Sequence, residues 1–196
     1  MSLYINLIQN IVKFSNLETQ IKLCSLCQEN NYFLKIFKLN ASYDTNITQE
    51  IIEQDKFNKL RELDTNNNKK IYNINFLKFT LEILDASGKN CAITQEGIEQ
   101  LIKLKNLNAS YNSKIYDLTF AKNTLKYLYI SFCPKITYEN INQLTKLICL
   151  YTPDDICSNI DFTKFTLKNF RFFSNFRDSF ILDTSNYSNI ILNKIK

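Results

Sequence analysis

Six cysteines and no histidine bound the chemistry available to this chain. Cys24 and Cys27 stand at the C-x-x-C spacing that supplies half of a tetrahedral zinc site. The other half is missing: there is no second pair at that spacing and no imidazole anywhere, so four ligands cannot be gathered nearby. The same i, i+3 spacing on a helix is ordinary for two core residues. Without histidine the chain also lacks a triad base and the usual general acid–base at neutral pH. Cys91 and Cys133 have no base in sequence context that would make a thiolate nucleophile, and read as turn residues. No catalytic, cofactor-binding or metal-binding residue is therefore assigned. The residue types left to do something are large and regularly spaced: Tyr127, Tyr129, Tyr151, Arg171 and Phe173, with Tyr111 and Phe132 close by, and the carboxylates Asp64 and Asp85. Tyrosine and arginine are the types enriched at binding hot spots, although tyrosine is also simply common in this composition.

A repeat sets where those side chains stand. The segment Leu39–Tyr43 (LNASY) recurs as Leu107–Tyr111. The nonamer Asn73–Leu81 (NINFLKFTL) recurs as Asn159–Leu167 (NIDFTKFTL) and as Asp117–Leu125 (DLTFAKNTL). Ile47–Glu50 (ITQE) recurs at Ile93–Glu96 and, as ITYE, at Ile136–Glu139. Aligning these copies places the first apolar position of successive repeats at Ile36, Leu60, Leu81, Leu104, Leu125, Leu147 and Leu167, with steps of 24, 21, 23, 21, 22 and 20 residues. The fourth position is then Leu39, Leu63, Leu84, Leu107, Leu128, Leu150 and Phe170, and the sixth is Ala41, Thr65, Ala86, Ala109, Ile130, Thr152 and Phe172. An L-x-x-L-x-L start at a period of about 20–29 residues is the leucine-rich-repeat signature.

Positions four and six alternate with polar neighbours, the pattern of a half-buried strand. One such unit cannot bury its apolar side alone, so units stack into a parallel sheet with return segments behind it. The returns alternate in kind. Ile47, Ile93 and Ile136 are each followed by a threonine suited to an N-cap and by Glu50, Glu96 or Glu139, which predicts three short helices. The other returns (Ile74/Phe76, Leu118/Phe120, Ile160/Phe162) have a period of two and read as extended or single-turn connections. Side chains alternate across a strand, so positions three, five and seven line the concave face. They include Glu62, Asp64, Asp85, Asn106 and Asn108, then Tyr127, Tyr129, Tyr151, Arg171 and Phe173, with Tyr111 and Phe132 one place further on.

Leu125–Leu144 (LKYLYISFCPKITYENINQL) resembles the cysteine-containing leucine-rich repeat, L-x-x-L-x-L-S-x-C-x-x-I-T-D-x-x-L-x-x-L. Cys133 holds the Cys/Asn place, which Asp44, Asn68 and Asn112 occupy in other copies. The third repeat has one extra residue around Asn90 and Cys91, and Pro153–Asp155 departs from the pattern. Repeats of this subtype occur in F-box proteins, the substrate receptors of cullin-type ubiquitin ligases. Leu7–Phe14 and Thr19–Cys27 resemble the F-box helices, without the opening Leu-Pro, with Gln28 for the basic residue, and with no tryptophan. The composition also resembles repeat proteins of giant viruses and protists.

The resemblance implies an α/β leucine-rich-repeat solenoid: a parallel sheet on the concave face, short helices and extended segments on the convex face. The expected organisation is a helical N-terminal cap or F-box-like segment over 1–33, about seven repeats over 34–174, and a C-terminal cap or irregular last repeat over 175–196. The expected function is binding of a protein partner on the concave face. The resemblance adds a ubiquitin-ligase linker subunit as partner through residues 1–33. The alternative is an intracellular effector or decoy with no ligase link. Neither a cofactor nor a nucleic-acid partner is expected, since the net charge of +5 is dispersed. No run of 18 apolar residues is present and no signal peptide is read, so a cytoplasmic monomer with reduced thiols is expected, in the host cytoplasm if the source is a virus.

Overall fold

A computed structural model describes residues 35–152, together with Thr19, Ile160, Asp161, Phe165 and the backbone of Arg171–Phe173. Cys24, Cys27, Cys157, the turn at Pro153–Asp155 and, apart from Thr19, the expected caps at 1–33 and 175–196 lie outside the described residues.

Seven three-residue strands form one sheet: β1 (Lys38–Asn40), β2 (Glu62–Asp64), β3 (Ile83–Asp85), β4 (Asn106–Asn108), β5 (Tyr127–Tyr129), β6 (Cys149–Tyr151) and β7 (Arg171–Phe173). Each pairs in parallel with the next in chain order, with no crossover. Consecutive parallel pairing is what stacked repeats impose, and the arrangement is consistent with a leucine-rich-repeat-like solenoid. Registers follow the repeat. Leu39, Leu63, Leu84, Leu107, Leu128 and Leu150 align across the rungs and are each at most 2% exposed. Behind them Ile36, Leu60, Leu81, Leu104, Leu125 and Leu147 form a second buried row, and Ala41, Thr65, Ala86, Ala109, Ile130 and Thr152 a third. Each buried leucine contributes about 1.5–3 kcal/mol of transfer free energy.

The returns alternate as the sequence indicates, with one correction. Helices α1 (Gln49–Ile52) and α2 (Tyr138–Ile141) follow Ile47 and Ile136. The connections at Asn75–Leu77 and Thr119–Ala121 are single 3₁₀ turns. The segment after Ile93 forms successive turns over 96–100 and no helix. Its Gly97 explains this. Glycine disfavours helix, and here it allows a close backbone contact, since a Cβ would lie 2.1 Å from the Tyr72 carbonyl oxygen. Gly97 O in turn accepts from Ile74 N at 2.9 Å.

The threonine–glutamine–glutamate motif does more than start helices. The Thr48 hydroxyl donates to Glu50 and makes no cap to the backbone. The buried glutamines instead reach the next repeat. Gln49 Oε1 accepts from Tyr72 N and Asn73 N at 3.0 and 3.1 Å. Gln95 Oε1 accepts from Tyr116 N and Asp117 N at 3.1 and 3.0 Å.

The residues at the Cys/Asn place tie adjacent repeats in the same way. Asn68 Nδ2 faces the carbonyls of Ala41 (2.9 Å), Asp44 (2.8 Å) and Ile47 (3.2 Å), while its Oδ1 accepts from Lys70 N and Ile71 N. Asn112 donates to Ala86 O and Ile93 O. Cys133 Sγ donates to Ala109 O at 2.9 Å. In the longer third repeat Cys91 is buried instead, with its sulfur 3.7 Å from Thr65 Oγ1.

Candidate interaction surface

Two rows of residues run across the strands on the face of the sheet away from the leucine core. The first is Lys38, Glu62, Ile83, Asn106, Tyr127, Cys149 and Arg171; the second is Asn40, Asp64, Asp85, Asn108, Tyr129, Tyr151 and Phe173. The last rung corrects the sequence alignment. Arg171 pairs with Cys149 and Phe172 with Leu150, so Phe172 holds the fourth position, which the sequence assigned to Phe170. The slip is two residues, and it preserves the alternation of faces. Arg171 therefore stands in the row of Tyr127 and Phe173 in the row of Tyr129, each two positions earlier in the repeat than the sequence alignment gave.

The tyrosines are brought together. Tyr127 and Tyr129 on β5 are 37% and 40% exposed, and Tyr151 on β6 is half-buried. The Tyr129 and Tyr151 rings lie 6.2 Å apart at 32°, within the range of favourable aromatic pairs. Burial pushes the Tyr129 phenol above its ordinary value, so at neutral pH it is an uncharged hydrogen-bonding group. The first row is broken on β6, where Cys149 is buried beside Tyr127.

Asp64 and Asp85 stand on adjacent rungs, two and one rungs from the Tyr129 row partner Asn108. Partial burial raises the Asp64 pKa, and the Asp85 charge adds to this, against a hydrogen bond from Asn66 N. Asp85 accepts from Ser87 N and from Asn108 Nδ2, at 2.9 and 2.8 Å. Glu62 is paired to Lys38 at 2.6 Å, so the acidic flank narrows to the two aspartates.

Tyr111 and Phe132 lie beyond the strands, on the rim. Their rings stack at 4.8 Å and 22°. Both have positive φ, 63° and 55°. The equivalent positions in the first three repeats are Tyr43 (φ 54°), Asn67 (φ 52°) and Gly88 (φ 96°), so one residue in each of the first five rungs turns through the left-handed region. The sequence reading passed over Tyr43, 71% exposed, and Ile83, 38% exposed in the first concave row. Both had a signal. Tyr43 ends the same five-residue segment as Tyr111, and Ile83 stands at position three.

Among the described residues Cys91, Cys133 and Cys149 are buried and form no disulfide. Burial pushes the Cys91 and Cys133 thiols up, away from the thiolate. No described helix is long and apolar enough to cross a membrane. In comparisons with known proteins, no family model matches this chain and neither does any curated protein.

Proposed function

We propose that the chain is a leucine-rich-repeat protein of the cysteine-containing kind, and that its concave face binds a protein partner. The observation that carries the reading is the tyrosine surface on β5 and β6, with rings from adjacent rungs in contact and still partly exposed. A protein gains little stability from leaving such rings in water. A partner that desolvates them gains hot-spot energy of about 2 kcal/mol or more per anchor. Asp64 and Asp85 favour a partner with a basic edge. The surface carries no constellation for catalysis, and an enzyme is not proposed.

The test places a photo-crosslinking side chain at position 129 and, separately, at the exposed convex position Lys122. Crosslinks to one protein from position 129, absent from position 122 and lost in a folded Tyr127→Ala/Tyr151→Ala background, are the expected result. Crosslinking only from the convex position would overturn the concave reading.

The F-box-like pattern between Leu7 and Cys27 supports a second contact, with a ubiquitin-ligase linker subunit through residues 1–33. Purified full-length chain and purified linker subunit should then form a complex. Failure to do so removes the ligase link and leaves an intracellular effector or decoy.

A further inference from the structure

The residues at the left-handed step form a ladder along the rim, separate from the tyrosine surface on the strands. At the left-handed step, asparagine and glycine are the residues the backbone accepts most readily, and Asn67 and Gly88 are such residues. Tyr43, Tyr111 and Phe132 hold rings at the same step, where a Cβ crowds the following carbonyl oxygen. A strained and exposed aromatic residue is a pointer to function, because nothing in folding requires it there. Gly88 makes a gap in the ladder. A Cβ there would lie 2.4 Å from Asn67 Cγ, so the Asn67 amide lies across the glycine as a floor. The amide is held in place: Asn67 Nδ2 donates to the Tyr43 hydroxyl at 3.0 Å and to Asn66 Oδ1 at 2.9 Å.

Around Asn67 and Gly88 lies an open cleft of about 500 Å³, whose lining includes Tyr43, Tyr111, Lys89 and Ser110. That volume is in the range of small-molecule sites, about 300–1,000 Å³. Phe132 covers one face of the Tyr111 ring, and the ring also borders the cleft. The polar groups left free are mostly donors. The Tyr43 hydroxyl accepts from Asn67 and keeps its own proton to give. Ser110 Oγ accepts from Ser131 N and likewise keeps its proton. Lys89 is exposed and is the one charged residue of the lining; Asp85, outside it, has its oxygens taken up by Ser87 and Asn108.

We infer that this cleft binds a flat aromatic ring bearing a phosphate, the ring stacked on Tyr111 and the phosphate against Lys89. A neutral sugar would need several acceptors, and Asn67 Oδ1 and Asn108 Oδ1 are already engaged, by Asn90 N and Ser110 N, which leaves the Asn90 side-chain oxygen among the asparagines at those positions. A bare anion would leave the rings unused.

The experiment is calorimetric titration of the full chain with adenosine monophosphate, phenyl phosphate and inorganic phosphate. Tyr111→Asn removes the ring and keeps a residue that the left-handed backbone accepts, as Asn67 shows, so folding is not at risk. Saturable binding of adenosine monophosphate or phenyl phosphate is expected, weakened roughly tenfold or more by Tyr111→Asn, the size of one stacking contact. Lys89→Ala should weaken both phosphates and leave adenosine alone unaffected. The tighter of the two ligands tells whether the phosphate comes from a nucleotide or from a phosphorylated phenol. No saturable binding, inorganic phosphate bound as tightly as either ring compound, or affinities unmoved by Tyr111→Asn would overturn the inference. Lys89 lies in the cleft alone and Tyr129 and Tyr151 on the strands alone, so failure here is distinguishable from failure of the concave-face reading.

Discussion

Asn68→Ala isolates the interaction that ties the first two repeats together. The side chain is 1% exposed. Its amide has two hydrogens shared among three carbonyls, and its oxygen accepts two backbone N–H groups. Alanine removes about four hydrogen bonds, each worth about 1 kcal/mol net, and leaves backbone groups without partners at about 1–3 kcal/mol for each that water cannot reach. Asp44 and Lys70 are not buried, so water relieves part of this. The expected loss is about 3–5 kcal/mol, a large share of the 5–15 kcal/mol by which domains are stable. Urea unfolding followed by far-ultraviolet circular dichroism measures it. All three carbonyls belong to the preceding repeat, so the loss falls on an interface between repeats, and a lower denaturant slope would show the first repeat uncoupling. Asn112→Cys is the comparator, because Cys133 holds the equivalent place with a thiol donated to Ala109 O. It should cost clearly less than Asn68→Ala. A loss below about 1 kcal/mol for Asn68→Ala would refute the idea that these amides hold the stack together.

Leu107→Ala, in the middle of the buried leucine row, should lose about 2–5 kcal/mol in the same assay; a loss under about 0.5 kcal/mol would break the repeat register. Native Cys91 and Cys133 should resist a thiol reagent even at mildly alkaline pH, because burial raises both thiols, and all six cysteines should react after denaturation; fast native labelling of either would show an exposed thiolate. Asp64 has a raised folded pKa, so it binds more protons folded than unfolded, and its ionisation lowers stability as pH rises from its ordinary value near 3.8 through the folded value. Asp64→Asn should therefore flatten the pH dependence of stability in that acidic window and be neutral or stabilising at neutral pH, less the Asn66 N–H bond; an unchanged profile would show that the burial is not felt. Backbone amides of β6 should exchange with solvent faster than those of β3, because the side-chain ties between repeats thin toward β6; equal protection of the two strands would refute this.

The leucine rows were legible because they need only a period, and the period survives changes of residue type. The last rung was not. Phe170 and Phe172 are both apolar and two residues apart, so either can hold the fourth position without turning a side chain to the other face. Apolar patterning cannot tell the two alignments apart, and pairing with β6 decides. The missing helix after Ile93 was in principle legible from Gly97, but the contact with Tyr72 that makes glycine necessary comes from the neighbouring repeat. The rim cleft has the same character: Asn67, Gly88 and Tyr111 are over 20 residues apart in steps, and only stacking puts them side by side.

The repeated glutamine shows why a motif can be seen and its purpose misread. Thr-Gln-Glu looks like a helix start, and the eye goes to the threonine and the glutamate. The glutamine between them clamps the next repeat through two backbone N–H groups, at Gln49 and again at Gln95. The third copy has Tyr138 there, 38% exposed, which has no amide to offer. The Cys/Asn place thins in the same direction, from five contacts at Asn68, through fewer at Asn112, to a thiol donor at Cys133. In a stack whose stability is a sum of neighbour terms, these side-chain ties weaken from the first repeats toward the rungs that present the tyrosines. Binding surfaces are drawn from the less stable part of a fold. A partner seated across β5 and β6 would restore there the interface energy that the missing glutamine and asparagine withhold.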